Sequence, residues 1–360
     1  MIATFYTANI QLEHRIGLRG TVLKWFTSYL TNRTFSVMIG DFSSTIAPLT
    51  SGVPQGSILA PLLFYLYMSP LGSVISRHNV HFHFYADDIQ IYVPLTLGDS
   101  GALILLQNCI RDIKLWLSQN FLHLNEDKTE NTVFSPDSAA VVHSLGALAP
   151  ACTGTVRNFG VILDSNFDFD KQIRSVVKTS IYHLRLLMKV KPFLSYADLE
   201  KAIHAFIILR LDYCNALYVG ISQSLLRKLQ LVQNAAAQLL SNTPKFAHIT
   251  PVLRSLHWLP IQYRINFKIL LFVFKAINGL APPYISNLLS VYVPHRTLRS
   301  SEHLSLVVPR ARCKKWGERS FAVYGPRLWN SLPPELQAET ELAAFKSTLK
   351  THLFRQAFGI

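Results

Sequence analysis

Apolar residues recur at helical spacing in TVLKWFTSYLTN (21–32), where Leu23, Phe26, Tyr29 and Leu30 fall on one face, so an amphipathic helix is predicted. The period then changes. FSVMI and FSSTI, joined by Gly40-Asp41, are β-rich runs around a turn dipeptide and predict a hairpin. Residues 57–76 predict a buried helix, and HFHFYADDIQIYV (81–93) has the aromatic and β-branched composition of a half-buried strand pair. ALILLQNCIRDIKLWLSQN (102–120) returns to helical spacing, while FLHLNEDKTENTVF and TVRNFGVILD are expected as further strands. After about Asp170 the pattern is mostly helical: KQIRSVVKTSIYHLRLLMKV, ADLEKAIHAFIILRLDYCNALYV, LLRKLQLVQNAAAQLL and PIQYRINFKILLFVFKAI, ending at Gly279 and Pro282-Pro283. The order helix, hairpin, helix, hairpin, helix predicts an α+β layer with an antiparallel sheet, followed by a mostly α-helical region.

Composition narrows this. A chain of 360 residues, 49% hydrophobic and 16% charged, has material for more than one core. Its net charge of +14 points to polyanions, nucleic acid first and an anionic membrane surface second. ILAPLLFYLYM is too short to span a bilayer, and ILLFVF (269–274) is fenced by Lys268 and Lys275, so no membrane partner is expected. Cys109, Cys152, Cys214 and Cys313 lie far apart without CxxC spacing, which argues against a disulfide framework and a structural zinc site and points to a reducing compartment. The start, MIATFYTANIQLEHRIG, lacks the pattern of a secretory signal, so secretion is not expected, and the choice between a nuclear and a cytoplasmic address stays open.

One stretch contradicts its own surroundings. Asp87 and Asp88 stand side by side within FYADDIQIY, where strand composition disfavours them and the two charges repel. A divalent cation held by both relieves that repulsion, and hard cations such as Mg²⁺ take one or two carboxylates together with substrate phosphates. An isolated pair of this kind is more simply a solvated turn. This pair is not isolated. Upstream, SGVPQGSI (51–58) offers Gly52 and Gly56 for close backbone approach, Pro54 to stiffen the bend and Gln55 with an amide for a base or sugar. Downstream, FLHLNEDKTE places Lys128 in a polar turn.

In order, GVPQGSILAPLLFYLYM, FHFYADDIQIY and WLSQNFLHLNEDKTE resemble the second half of the palm of a LINE-type (non-LTR retrotransposon) reverse transcriptase. KWFTSYLTNRTFSV and NFGVILD fit on either side, so the resemblance covers about residues 10–175. LHWLPIQYRINFKIL and YGPRLWNSLP are similar to the segment that follows the palm in fish-type elements. The resemblance implies a partial right-hand polymerase palm over 1–134, a loop and strand extension over 135–175, a thumb-like helical region over 176–290 and a basic region over 291–360. It implies RNA-directed DNA synthesis with Mg²⁺ (Mn²⁺ as the alternative), an RNA template, a DNA primer and dNTPs. Asp87 and Asp88 are then the metal ligands, and Lys128 lies near the leaving pyrophosphate as proton donor. Tyr85 and Ala86 border the primer end, and Gly52, Pro54, Gln55 and Gly56 line template and nucleotide.

Family members carry a further aspartate that bridges both metals. Before Gly52 the acidic residues here are Glu13, which matches a helix, and Asp41 at a hairpin tip; neither is a substitute. The fingers and a preceding endonuclease also have no counterpart. The expectation is an N-terminally truncated palm with little or no polymerase activity by itself. The alternatives are a non-catalytic nucleic-acid-binding protein derived from the retrotransposon, or a relic that does not fold stably.

Other features weigh less. Asp164, Asp168 and Asp170 are expected to act in a turn and helix cap rather than a nuclease site. His81 and His83 share a strand face without a third ligand nearby. From His295 to Asn330 basic residues, among them Arg310, Arg312, Lys314, Lys315 and Arg319, alternate with Trp316, Phe321, Tyr324 and Trp329, a composition suited to phosphate contact and base stacking.

Overall fold

Leu23, Phe26, Tyr29 and Leu30 do share a face: helix α1 (Gly20–Leu30) turns it onto Leu12 and Leu63, and Leu12, Leu30 and Leu63 are all buried. The computed structural model describes residues 11–49, 56–95, 100–135, 141–142, 145, 148–149, 152–244, 246–293, 304–311 and 313–360. The chain divides into two units, residues 1–131 with 139–152 and residues 132–138 with 153–360. The hairpin at 155–164 is thus grouped with the helical part, where its second strand packs against the helix that follows.

In the first unit two ribbons follow α1. Strand β1 (Thr34–Phe35) pairs antiparallel with β4 (Ala47–Pro48), and β2 (Met38–Ile39) pairs with β3 (Phe42–Ser43) across the expected Gly40-Asp41 turn. Helix α2 (Ala60–Ser76), strands β5 (His81–Tyr85) and β6 (Asp88–Tyr92), and helix α3 (Ser100–Gln119) come next. Leu71 and Ile75 of α2 and Cys109, Ile113 and Leu117 of α3 are buried, with Phe82, Phe84, Ile89 and Ile91 of the hairpin packed on them. Gly72 lets α2 come close, since a Cβ there would lie 3.3 Å from the Phe82 ring. Burial, helped by Asp112, pushes the Cys109 thiol up to about 11, so it stays protonated at neutral pH.

The expected strand FLHLNEDKTENTVF does not form. Its described residues make one isolated bridge, Asn131 to Cys152, and a 3₁₀ turn at Glu126–Lys128. The Asn125 side chain accepts from the Lys128 N–H at 3.2 Å, and the Thr129 hydroxyl donates to the Asn125 carbonyl at 2.9 Å. Such local bonds compete with a ladder, and here they prevail.

In the second unit β7 (Thr155–Asn158) and β8 (Val161–Asp164) close around Phe159-Gly160, whose φ values of 46° and 78° suit a two-residue hairpin loop. Asp164 then holds the next loop: its carboxylate accepts from the N–H groups of Asn166, Asp168 and Phe169 at 3.2, 2.9 and 2.7 Å. Asp170 opens α4 (Asp170–Val190) and pairs with Arg174 one turn on, at 2.7 Å. The acidic cluster thus holds a turn, as expected, but the expected helix cap is not made: the N-cap residue is Phe169, without a side-chain cap bond, and Asp170 is the first residue of the helix.

The run ADLEKAIHAFIILRLDYCNALYV is not one helix. Helix α5 (Tyr196–Ile203) passes through a wider π turn (His204–Ile208) into a last turn, Leu209–Asp212, and stops. The Asp212 carboxylate is gripped by both Nε (2.8 Å) and Nη2 of Arg264, and Cys214 adopts a left-handed φ of 52°. Helices α6 (Gln223–Ser241), α7 (Ile249–Ser255), α8 (Ile261–Ile277), α9 (Phe321–Asn330) and α10 (Leu342–Phe358) complete the unit, with α8 packed on α6, α9 and α10. Among the described residues no helix is long and apolar enough to cross a membrane.

Three buried glutamines tie this unit together. Gln172 accepts from the Ile162 N–H at 2.9 Å and donates to the Tyr218 hydroxyl at 3.2 Å. Gln233 donates to the Leu259 carbonyl, and Gln337 to that of Trp329, each at 2.9 Å. The two motifs of this half are explained by packing. In LHWLP, the Trp258 N–H returns to the Leu253 carbonyl at 2.9 Å and buries the indole as α7 ends. In YGPRLWNSLP, Gly325 faces Val273, Trp329 donates to the Leu304 carbonyl at 2.8 Å, and Asn330 pairs with both backbone groups of Leu306.

Arg319 is a further tie. It donates from Nε to the Val219 carbonyl at 2.7 Å and from Nη1 to that of Phe167 at 2.9 Å. Beside it Gly220 has φ +62°, and a Cβ there would lie 2.7 Å from Arg319 Cγ. Gly220→Ala combines a left-handed backbone cost of about 1–2 kcal/mol with displacement of that side chain, so a loss of about 2–3 kcal/mol is expected from urea unfolding. A loss below about 0.5 kcal/mol would mean that the arginine moves freely aside.

Candidate metal and nucleotide site

Strand alternation explains how two carboxylates come to stand on an aromatic ribbon. In β5, Phe82 and Phe84 point to the helices while His81, His83 and Tyr85 are exposed; in β6, Ile89 and Ile91 point inward and Asp88 outward. The register pairs Tyr85 with Asp88, so Ala86 and Asp87 form a two-residue loop. Ala86 sits at φ +54°, the left-handed region that such loops require and that an L-residue adopts at a cost. Its N–H donates to the Tyr65 hydroxyl on α2 at 3.2 Å, which fixes the loop to the helix beneath. Tyr65 was not legible in the sequence as a site residue, because a tyrosine in an apolar helix reads first as core.

Asp87 and Asp88 are both exposed, and neither has an ion pair or hydrogen-bonded side-chain partner among the described residues. Their oxygens are thus open to a cation from solvent. Such acceptor-only groups suit a hard divalent ion. Among the described residues no group of three or more His, Cys, Asp or Glu side chains is placed to hold a metal. His81 and His83 instead stack on Tyr92, with centroids 5.1 and 5.6 Å away.

The other candidates distribute unevenly. Gly56 has φ +83°, a conformation that favours glycine, while Gly52, Pro54 and Gln55 lie outside the described residues. Tyr85 is exposed next to the loop. Lys128 ends the 3₁₀ turn with an exposed side chain, and Lys114 pairs with its neighbour Glu126 at 2.6 Å. In the second unit, Arg310 is exposed, Arg312 lies outside the described residues and Lys314 begins a single helical turn. Lys315 pairs with Asp168 at 3.0 Å, and the Arg319 guanidinium is half-buried on backbone carbonyls. Lys315 is therefore engaged in an ion pair, while Arg319 uses two of its guanidinium donors on backbone carbonyls.

Residues 7–163 match the family model described as "Reverse transcriptase (RNA-dependent DNA polymerase)". The chain is 24% identical over 241 residues to the RNA-directed DNA polymerase from mobile element jockey of Drosophila melanogaster, covering 64% of this chain and 26% of that protein. It is 23% identical over 253 residues to the probable RNA-directed DNA polymerase from transposon BS of the same fly, covering 66% and 28%. A probable RNA-directed DNA polymerase from transposon X-element matches at 23% over 266 residues, 71% and 29%. The chain thus spans about a quarter of the length of these curated relatives. Each match takes in more residues than lie ahead of the helical region, so the likeness continues past the family match. Together with the FYADDIQIY hairpin, these matches support a reverse transcriptase domain of the LINE-type, non-LTR retrotransposon kind over residues 7–163.

Proposed function

We propose that the β5–β6 hairpin is the metal-holding turn of an RNA-directed DNA polymerase palm, extending a DNA primer on an RNA template from dNTPs with Mg²⁺ or Mn²⁺. One observation carries this reading: two vicinal carboxylates, without side-chain partners among the described residues, stand at the closed end of a hairpin, Asp87 in its two-residue loop and Asp88 at the start of β6, and the loop is anchored by a helix tyrosine. Asp87 and Asp88 would hold the ion. When bound, it lowers the barrier to nucleotidyl transfer by stabilising charge on the attacking and leaving oxygens. The chain's own groups position. The aromatic inner face fixes the strands, the Tyr65 hydroxyl holds the loop backbone, and Tyr85 offers a ring at the primer side. Gly52, Pro54, Gln55 and Gly56 would border template and nucleotide, with Lys128 near the departing pyrophosphate as its proton source.

By itself the chain is proposed to be almost silent in synthesis. A two-metal transfer needs ions about 3.5–4 Å apart, and a vicinal pair alone does not clamp both. A third carboxylate must come from outside the described residues. The test is primer extension on a primed RNA template with Mg²⁺ and dNTPs, beside Asp87→Ala. Extension no greater than in the variant is expected, with the primed template still retained in a salt-sensitive gel shift. Extension that Asp87→Ala abolishes would show that a complete site exists in the chain as it stands. Retention without extension is also the signature of the second reading, a non-catalytic nucleic-acid binder, which the net charge of +14 favours. Divalent-ion binding dependent on Asp87 separates the two, because only the polymerase reading requires it.

A further inference from the structure

The second unit contains a cavity of about 460 Å³, within the roughly 300–1,000 Å³ typical of ligand pockets. Its walls mix aromatic rings, among them Phe167, Phe272, Tyr284, Trp316 and Phe321, with aliphatic side chains such as Leu217 and Ile269, and one charged side chain, Arg319, lines it. The walls are braced. Phe167 stacks on Phe134 with centroids 4.4 Å apart, and the Trp316 indole donates to the Asn166 carbonyl at 3.0 Å. Arg319 lies over the Phe169 ring at 5.8 Å, fixed by its bonds to Val219 and Phe167. Those bonds use two of the five N–H donors of a guanidinium, and the other three have no protein acceptor among the described residues.

The chemistry of an occupant follows from these walls. An aliphatic ligand would offer the remaining donors no acceptor. A bare phosphate would satisfy the charge and make no use of the rings. A flat heteroaromatic ring with acceptors on its edge uses both, and a guanidinium matches the O6 and N7 pair of guanine. Base stacking on aromatic side chains is the usual way that unpaired nucleic acid is held, and the chain is strongly basic. We infer that this cavity is a binding site for an unpaired guanine base of single-stranded nucleic acid, with Arg319 reading the base edge and Tyr284 and Trp316 supplying stacking surface. The site lies wholly in the second unit and does not depend on the polymerase reading.

The test uses the full chain and fluorescein-labelled ten-nucleotide strands, uridine in RNA and thymidine in DNA, each with one central guanine, adenine or 7-deazaguanine. Anisotropy titration is expected to show the guanine strand binding about tenfold tighter than the adenine or 7-deazaguanine strand. Tyr284 is exposed at the cavity, so Tyr284→Leu leaves the core intact and is expected to erase that preference, bringing the guanine strand down to the adenine strand. Arg319→Lys, checked for folding by its thermal melt, should do the same, since lysine lacks the fork. The RNA and DNA series together identify which nucleic acid supplies the base. Equal affinity for all three central bases, or a guanine preference untouched by Tyr284→Leu, would overturn the proposal.

Discussion

Trp329→Ala is expected to lower the stability of the helical unit by about 3–5 kcal/mol, the range for emptying a buried aromatic site. Trp329 is only 1% exposed. Its ring lies 5.9 Å from Phe345, which stacks on Phe274 at 4.1 Å, so α8, α9 and α10 meet around it. Its indole N–H holds Leu304, and its own carbonyl accepts from buried Gln337. Truncation therefore leaves a void and orphans a backbone carbonyl at once. Urea unfolding should show a much lower midpoint at an unchanged slope. Trp25→Ala is the control: that ring is 52% exposed, and a change within about 1 kcal/mol is expected. A similarly small change for Trp329 would mean that the cluster repacks and is not the keystone described.

The second large effect concerns the carboxylates. On the proposed function, Asp87→Ala is expected to weaken Mn²⁺ binding about tenfold or more, equivalent to about 1.4 kcal/mol or more, because it would remove one of two adjacent anionic ligands. Electron paramagnetic resonance of free Mn²⁺ reads this without requiring synthesis. Asp88→Ala should act in the same direction, whereas Asp41→Ala, at the other hairpin tip, should leave binding unchanged. If all three variants bind as the parent does, the pair is a solvated turn and the polymerase reading loses its chemical centre.

Much of the first unit was legible because its periodicities are clean. The face Leu23, Phe26, Tyr29, Leu30 and the alternation of HFHFY each admit one burial pattern, and the Gly40-Asp41 pair closes a hairpin. In the second unit TVRNFGVILD, expected as a strand, instead folds back on itself at Phe159-Gly160. The misses came from side chains that act on the backbone. Asn125 ties a turn where β-rich composition suggested a strand. Asp212 ends a helix through an arginine 52 residues away, a partnership that local pattern does not contain. At the site, the carboxylate pair stood out because it violates strand composition, while Tyr65 was hidden by conforming to a helix. The basic stretch could be counted but not apportioned: Lys315 and Arg319 are engaged within the fold, which only the loop at 164–169 reveals.

The ribbons of the first unit have a practical consequence. Strands β2 and β3 form a two-stranded sheet, so among the described residues each has an outer edge with no ladder partner. The β2–β3 ribbon leaves Met38, Ile39 and Phe42 71%, 76% and 85% exposed. Open edges beside bare apolar side chains are templates for further strands, including those of another copy. Solubility, rather than the strength of its core, would then limit how this protein can be concentrated, and precipitation would begin at the unit that bears the carboxylates.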